Sequence, residues 1–306
     1  MTSLASLFIK KAVLPQRSFL RGDRPVQEER ADINALAHQW IHPPRSVSVH
    51  SIQAGGVPAE WLEPQTAAND RVVLYLHGGG YVLCSPATHR GLTGQLARDC
   101  PARVLSVDYR LAPEYPFPAA LEDALAAYRW LLDQGIAPRS IAIGGDSAGG
   151  GLTLSAAISL REARQPLPAA LFLLSPWTDL TFSGEAHRTR AGVDPIFRGS
   201  GDRSLATSYA GAHSPAEPLI SPLFADLHGL PPTLIQVGDE EILLSDSTEL
   251  EKALLAAGVE VQLEVWQGMW HVFQVAAPLV PESRLALRHI ESFLDQTVWT
   301  KKKGNP

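Results

Sequence analysis

Residues 141–151, Ile-Ala-Ile-Gly-Gly-Asp-Ser-Ala-Gly-Gly-Gly, constrain the fold of this chain more than any other stretch. Alternating apolar positions enter a Gly-Asp-Ser-Ala-Gly turn, and Leu152, Ala156, Ile158 and Leu160 leave it in a pattern that a helix can bury. This reads as strand, sharp turn, helix. Ser147 stands at the turn, with Gly145 and Gly149 two residues to either side, where side chains would collide with the strained backbone. A serine so placed is exposed at the top of a sheet, beside a helix N-terminus whose free N–H groups and partial positive charge favour an oxyanion. The competing explanation is a glycine-rich connection without chemistry. The stretch also contains Gly144-x4-Gly149, the opening of a phosphate loop, but no Lys-Ser or Lys-Thr pair follows and a nucleotide site is set aside.

Around this turn the chain alternates two periodicities. Residues 72–76, 104–107, 141–143, 171–174, 233–237 and 261–265 are strand-like, while Leu121, Leu125, Tyr128, Leu131 and Leu132 share one helical face. A last helix is expected around Ala286, Ile290, Phe293 and Leu294, with 301–306 fraying. Residues 46–62, alternating about Gly55-Gly56, add a β-hairpin. The expected architecture is a mostly parallel sheet of about eight strands with helices on both faces. Residues 1–45 read as short helices outside the sheet, with a polar turn over 17–24 and Pro43-Pro44 closing the region. Residues 179–218 hold no strand-like run. The core is therefore expected in two parts, 46–178 and 219–306, with 1–45 and the insertion 179–218 forming a helical cap over the carboxyl ends of the strands.

Composition removes several classes of function. Net charge is −6 with scattered basic residues, so there is no footprint for nucleic acid. Cys84 and Cys100 make no disulfide framework, and no Cys or His spacing suggests a metal site; no metal or organic cofactor is expected. The apolar start at Leu4, Leu7, Phe8 and Ile9 is broken by Lys10-Lys11 before it reaches signal-peptide or membrane length. A soluble, cytoplasmic protein without membrane insertion is expected.

A nucleophilic serine needs three partners. His77-Gly78-Gly79-Gly80-Tyr81 follows the strand ending at Leu76, and consecutive glycines there let backbone N–H groups approach a substrate as an oxyanion hole requires. His271, in the loop after the last strand, is the candidate base. The acid is expected after strand 233–237, which offers Asp239, Glu240, Glu241 and Asp246. Asp246 has a simpler role as a helix N-cap with Glu249. Asp239 and Glu241 share a parity and stay open, with Glu reaching one methylene further.

These residues lie within longer motifs. His77-Gly-Gly-Gly80, Asp108-Tyr-Arg-Leu-Ala-Pro-Glu114, Pro116-Phe-Pro-Ala-Ala120, Gly145-Asp-Ser-Ala-Gly-Gly150 and Gly268-Met-x-His271-x-Phe273, in that order over about residues 46–295, resemble the hormone-sensitive-lipase-like esterases of the α/β-hydrolase superfamily. The resemblance implies Ser147 as nucleophile, His271 as base, and an oxyanion hole from the N–H groups of Gly79, Gly80 and Ala148. The family's usual Asp-Pro-Leu-x-Asp is replaced here by Gly238-Asp-Glu-Glu-Ile-Leu-Leu-Ser-Asp246; aligning the strand end puts Glu241 on the acid position, with Asp239 second. Arg110 and Glu114 are expected to tie loops beneath the site, and Asp146 to support the turn.

The implied activity is that of a carboxylesterase acting on short- to medium-chain acyl esters through an acyl-enzyme. Amidase, formamidase or sugar deacetylase activity would use the same triad, and a non-enzymatic small-molecule binder is the contrasting class, which retention of His271 disfavours. Trp177 and Tyr209 are candidate pocket residues, though core packing explains either equally well. Relatives of this type pair through the last strand, so a homodimer is an expectation of the resemblance.

Overall fold

The structure is a computed structural model that describes residues 2–13, 24–68, 70–197, 201 and 203–299. The expected turn at 17–23 and the fraying end at 301–306 lie outside the described residues. Helices α1 (Leu4–Phe8) and α2 (Val26–Trp40) precede a hairpin of β1 (Val47–Ala54) and β2 (Val57–Pro64). The alternation then runs β3 (Val72–Leu76), α3 (Pro86–Asp99), β4 (Arg103–Val107), α4 (Ala119–Asp133), β5 (Ile141–Asp146), α5 (Ala148–Glu162) and β6 (Ala170–Leu174). Two short helices, α6 (Ala186–Thr189) and α7 (Arg203–Ala210), fill the interval before β7 (Thr233–Gly238), α8 (Leu244–Ala256), β8 (Val261–Trp266) and α9 (Pro281–Leu294).

The strands form one sheet in the order β1-β2-β4-β3-β5-β6-β7-β8. Only β2 runs against the direction of the other strands. Side-chain parity divides the core into two layers, as a period of two demands. Leu74, Ile143, Leu173 and Ile235 point to the face covered by α4, α5 and α8, where Tyr128, Leu154 and Leu250 meet them. Val73, Tyr75, Ala142 and Phe172 point to the other face, against Leu92 and Leu96 of α3 and Leu287 and Ile290 of α9. Strands β3, β5, β6 and β7 are buried at every position, because helices cover both their faces. The outermost strand β8 has only exposed and half-buried positions.

Register matters most at the carboxyl edge. Leu76 pairs with Gly145, Asp146 with Leu174, and Gly238 with Trp266, so the loops leaving β3, β5, β6, β7 and β8 emerge side by side. One expectation is corrected here. Asp246 lies inside the first turn of α8, whose N-cap is Leu243, and its Oδ1 accepts the N–H groups of Thr178 and Asp179 at 2.9 Å each. Two buried amide donors across the loop outcompete the helix's own end for this carboxylate.

Candidate active site

The turn after β5 holds Ser147 at φ 53° and ψ −123°, a region that costs a non-glycine residue about 1–3 kcal/mol. Two bonds keep it there: Ser147 N–H donates to the Leu174 carbonyl at 2.9 Å, and its own carbonyl accepts the Trp177 N–H at 2.9 Å. The flanking glycines are sterically required. A Cβ on Gly145 would stand 2.4 Å from the Gly149 carbonyl oxygen, and one on Gly149 would stand 2.0 Å from that of Leu76.

Beyond the neighbouring strands, Glu241 and His271 meet. Glu241 is fully buried, and its Oε2 accepts a hydrogen bond from His271 Nδ1 at 2.7 Å. Its Oε1 is held by the Ser175 hydroxyl and the Gly238 N–H, both at 2.7 Å. With one oxygen anchored and the other on Nδ1–H, the imidazole keeps its proton on Nδ1 and leaves Nε2 as the basic nitrogen. Ser175 also accepts the Val272 N–H at 3.0 Å, so one hydroxyl connects the acid to the backbone that carries the base. Burial opposes a charge on His271, but Glu241, assisted by Asp194, more than reverses this and raises its pKa above the usual histidine value. No hydrogen bond joins Ser147 to His271 in this structure; contacts of this kind commonly close only around substrate.

Asp239 is occupied elsewhere. Its Oδ1 accepts the Gly268 N–H at 2.6 Å and braces the loop that leads to His271.

The loop after β3 turns through positive φ at Gly79 (115°) and Gly80 (63°). The Gly79 carbonyl accepts the N–H groups of Val82 and Leu83 at 3.1 and 2.8 Å. The N–H groups of Gly79 and Gly80 have no protein acceptor among the described residues. From outside, Arg30 of α2 donates to the Val82 carbonyl at 2.6 Å and also to that of Ala112, and Glu114 holds its guanidinium at 2.8 Å. Arg110 pairs with Asp123 at 2.8 Å. Both residues tie the loop that carries them, Glu114 to α2 and Arg110 to α4.

Among the described residues, the segment 179–218 reaches this centre through Phe197, Leu205 and Asp194, whose Oδ2 accepts the Ile242 N–H at 2.9 Å. The Phe197 ring packs edge-on to His271 at 4.8 Å, its backbone fixed by Asp194 Oδ1, which accepts the Ile196 and Phe197 N–H groups. Leu205 of α7 covers Gly80, where a Cβ would come within 2.8 Å of its Cδ1. Trp177 and Tyr209 are packed more deeply. Tyr209 is 1% exposed and stacks on Tyr81 at 3.6 Å, and Trp177 lies between Tyr81 and Phe182 with Nε1 on the Asp179 carbonyl.

Sequence reasoning missed Ser175, Asp194 and His89. Nothing local marks Ser175 or Asp194, since their partners are distant in the chain. His89 carried a signal, because it shares a helical face with the apolar Leu92 and Leu96 and is 7% exposed. Among the described residues no cluster of three His, Cys, Asp or Glu side chains is suited to a metal, and no helix is long and apolar enough to cross a membrane.

A strained serine turn, a histidine braced by a carboxylate and a glycine loop, all on the carboxyl edge of one parallel sheet, are the marks of α/β-hydrolases. The family described as alpha/beta hydrolase fold matches residues 73–275. An acetyl-hydrolase of Streptomyces hygroscopicus is 46% identical over 243 residues, 79% of this chain and 81% of its own. An esterase of Acinetobacter venetianus is 38% identical over 255 residues, 81% of this chain and 82% of its own. A solved esterase of the bacterial hormone-sensitive lipase family superposes with TM-score 0.90 at 43% identity, covering 97% of this chain and all of that one (100%). The chain belongs to the α/β-hydrolase family, within its hormone-sensitive-lipase-like branch.

Proposed function

We propose that this carboxylesterase hydrolyses short- to medium-chain acyl esters, with Ser147 as nucleophile, His271 as base and Glu241 as the triad acid. The observation that carries the assignment is the 2.7 Å bond from His271 Nδ1 to a carboxylate whose other oxygen is already engaged. In this reading His271 Nε2 takes the Ser147 proton as the hydroxyl attacks the ester carbonyl. The tetrahedral oxyanion accepts hydrogen bonds from the N–H groups of Gly79, Gly80 and Ala148. Protonation by His271 releases the alcohol, and water then cleaves the acyl-enzyme by the same route. Each oxyanion donor contributes about 3–4 kcal/mol to the transition state.

Residues 1–45 and 179–218 are read as the cap. Phe197 against His271 and Leu205 over Gly80 support a shallow acyl site, as does the name of the acetyl-hydrolase relative. The decisive experiment is Ser147→Ala assayed on a chromogenic acetate ester: activity should vanish while the circular dichroism spectrum is kept. Unchanged turnover would overturn the assignment. A rate series from acetate to laurate should fall beyond medium chain length, and a maximum at laurate would remove the chain-length claim.

A further inference from the structure

Beneath the glycine loop lies a buried ion pair that the proposed chemistry does not use. Asp146, the residue before Ser147, is 3% exposed. Its Oδ1 accepts the Tyr75 hydroxyl at 2.7 Å and the Gly78 N–H at 3.1 Å, and its Oδ2 faces His89 Nε2 at 3.3 Å. The other nitrogen of His89, Nδ1, faces Thr88 Oγ1 at 2.8 Å and the Ser85 carbonyl at 3.3 Å. The Thr88 hydroxyl proton is given to that same carbonyl at 2.7 Å. Both ring nitrogens thus face acceptors, an arrangement that the imidazolium satisfies in full. Burial disfavours each charge, but the attraction between them prevails: His89 is raised above the ordinary histidine range and Asp146 is lowered below the ordinary carboxylate range.

Among the other described groups that interact with Asp146, His271 also has its pKa raised in part by this carboxylate. His77, with its ring 5.5 Å from that of His89, is driven down to about 3 by burial and by His89. The hydroxyls of Tyr75 and Tyr109 are pushed well up by burial and Asp146, and the Cys84 thiol is pushed up to about 12 by the same two causes. Gly78 is pressed against the carboxylate so closely that a Cβ would stand 2.2 Å from Oδ2. Asp146 therefore links the backbone just before Gly79 to the backbone that carries Ser147.

We propose that His89 is a positioning residue for the oxyanion hole: by fixing the Asp146 carboxylate it sets the separation between the Gly78–Gly80 loop and Ser147. The proposal rests on reading Ser147 as the nucleophile and Gly79, Gly80 and Ala148 as oxyanion donors. A buried carboxylate deprived of this N–H donor takes up a proton or turns away, and either change loosens its hold on Gly78. Displacement of a catalytic group by about 1 Å costs about a hundredfold in rate.

The test is steady-state kinetics of His89→Phe, His89→Gln and Ser147→Ala on a chromogenic acetate ester, each over a range of pH and with its melting temperature. His89→Phe removes the donor and should lower kcat by about 10–100-fold with KM changed by less than about threefold. His89→Gln restores a neutral N–H near the Nε2 position and should return kcat to within about threefold of the parent. Parental kcat in His89→Phe overturns the proposal, as do equal losses in both variants that track only their folded fraction. If His89→Phe does not fold, His89→Gln decides alone: kcat within about threefold of the parent supports the proposal, and kcat more than about tenfold below the parent at a parental folded fraction overturns it. Loss of activity in Ser147→Ala beside an unaffected His89→Phe refutes the positioning role only; activity in Ser147→Ala refutes the reading beneath it.

Discussion

Glu241 and Asp239 leave the same strand end, and reach separates them. Asp239 stops at the Gly268 N–H, 2.6 Å away, while the longer side chain of Glu241 passes into the protein to His271. Glu241→Ala should cost kcat at least about a hundredfold, and Asp239→Ala far less, because it loosens a loop without stripping the imidazole of its partner. The opposite ranking would move the triad acid to Asp239. The base must be neutral to accept the serine proton, and Glu241 and Asp194 hold the proton on His271 above the ordinary range. The acid limb of kcat/KM should therefore lie above the ordinary histidine value of about 6.5 and move down in Glu241→Gln. A midpoint below that value in the parent would contradict this account.

At the scale of elements, β5 and α5 can join only through a turn with no side chain two residues to either side of Ser147. Gly149→Ala should destabilise the fold by several kcal/mol or abolish expression, since the added methyl would stand 2.0 Å from a backbone oxygen. Near-parental melting would refute the packing described for the turn. In the proposed function the segment 179–218 would set the depth of the acyl site. Leu205→Ala, on the surface of α7 that covers Gly80, should raise the rate on octanoate relative to acetate by about tenfold while leaving acetate turnover close to the parent. An unchanged ratio would remove Leu205 from the acyl site.

At the scale of the whole molecule, the first residues are tied to the last helix and to the loops of the site. Glu282 of α9 accepts hydrogen bonds from the Ser3 backbone and hydroxyl and from the Ser6 hydroxyl, and Lys10 pairs with Glu240 at 2.8 Å, next to the candidate acid. Glu282→Ala should cost about 1 kcal/mol, a fall of about 2–4 °C in Tm, with kcat little changed. A parental Tm would show that the N-terminal contact contributes no stability.

The sheet, its two helical layers, the serine turn, the glycine loop and the position of His271 were all legible in the chain, because each rests on local rules. Parity places strand residues on a face, a helical repeat does so on a helix, and a tight turn excludes Cβ atoms within a few residues of itself. The rest depends on partners far apart in sequence. Glu241 meets His271 across 30 residues, Ser175 meets Val272 across 97, and His89 meets Asp146 across 57. The side-by-side emergence of strand ends, and for His89 the packing of α3 on the sheet, brings these groups together, and burial then selects among them: a carboxylate in the interior stays where donors surround it. That selection gave Glu241 to His271, Asp239 to Gly268, Asp246 to the Thr178 turn and Asp146 to His89; the family motif aligned on the strand end already favoured Glu241, while reach and parity alone left it level with Asp239.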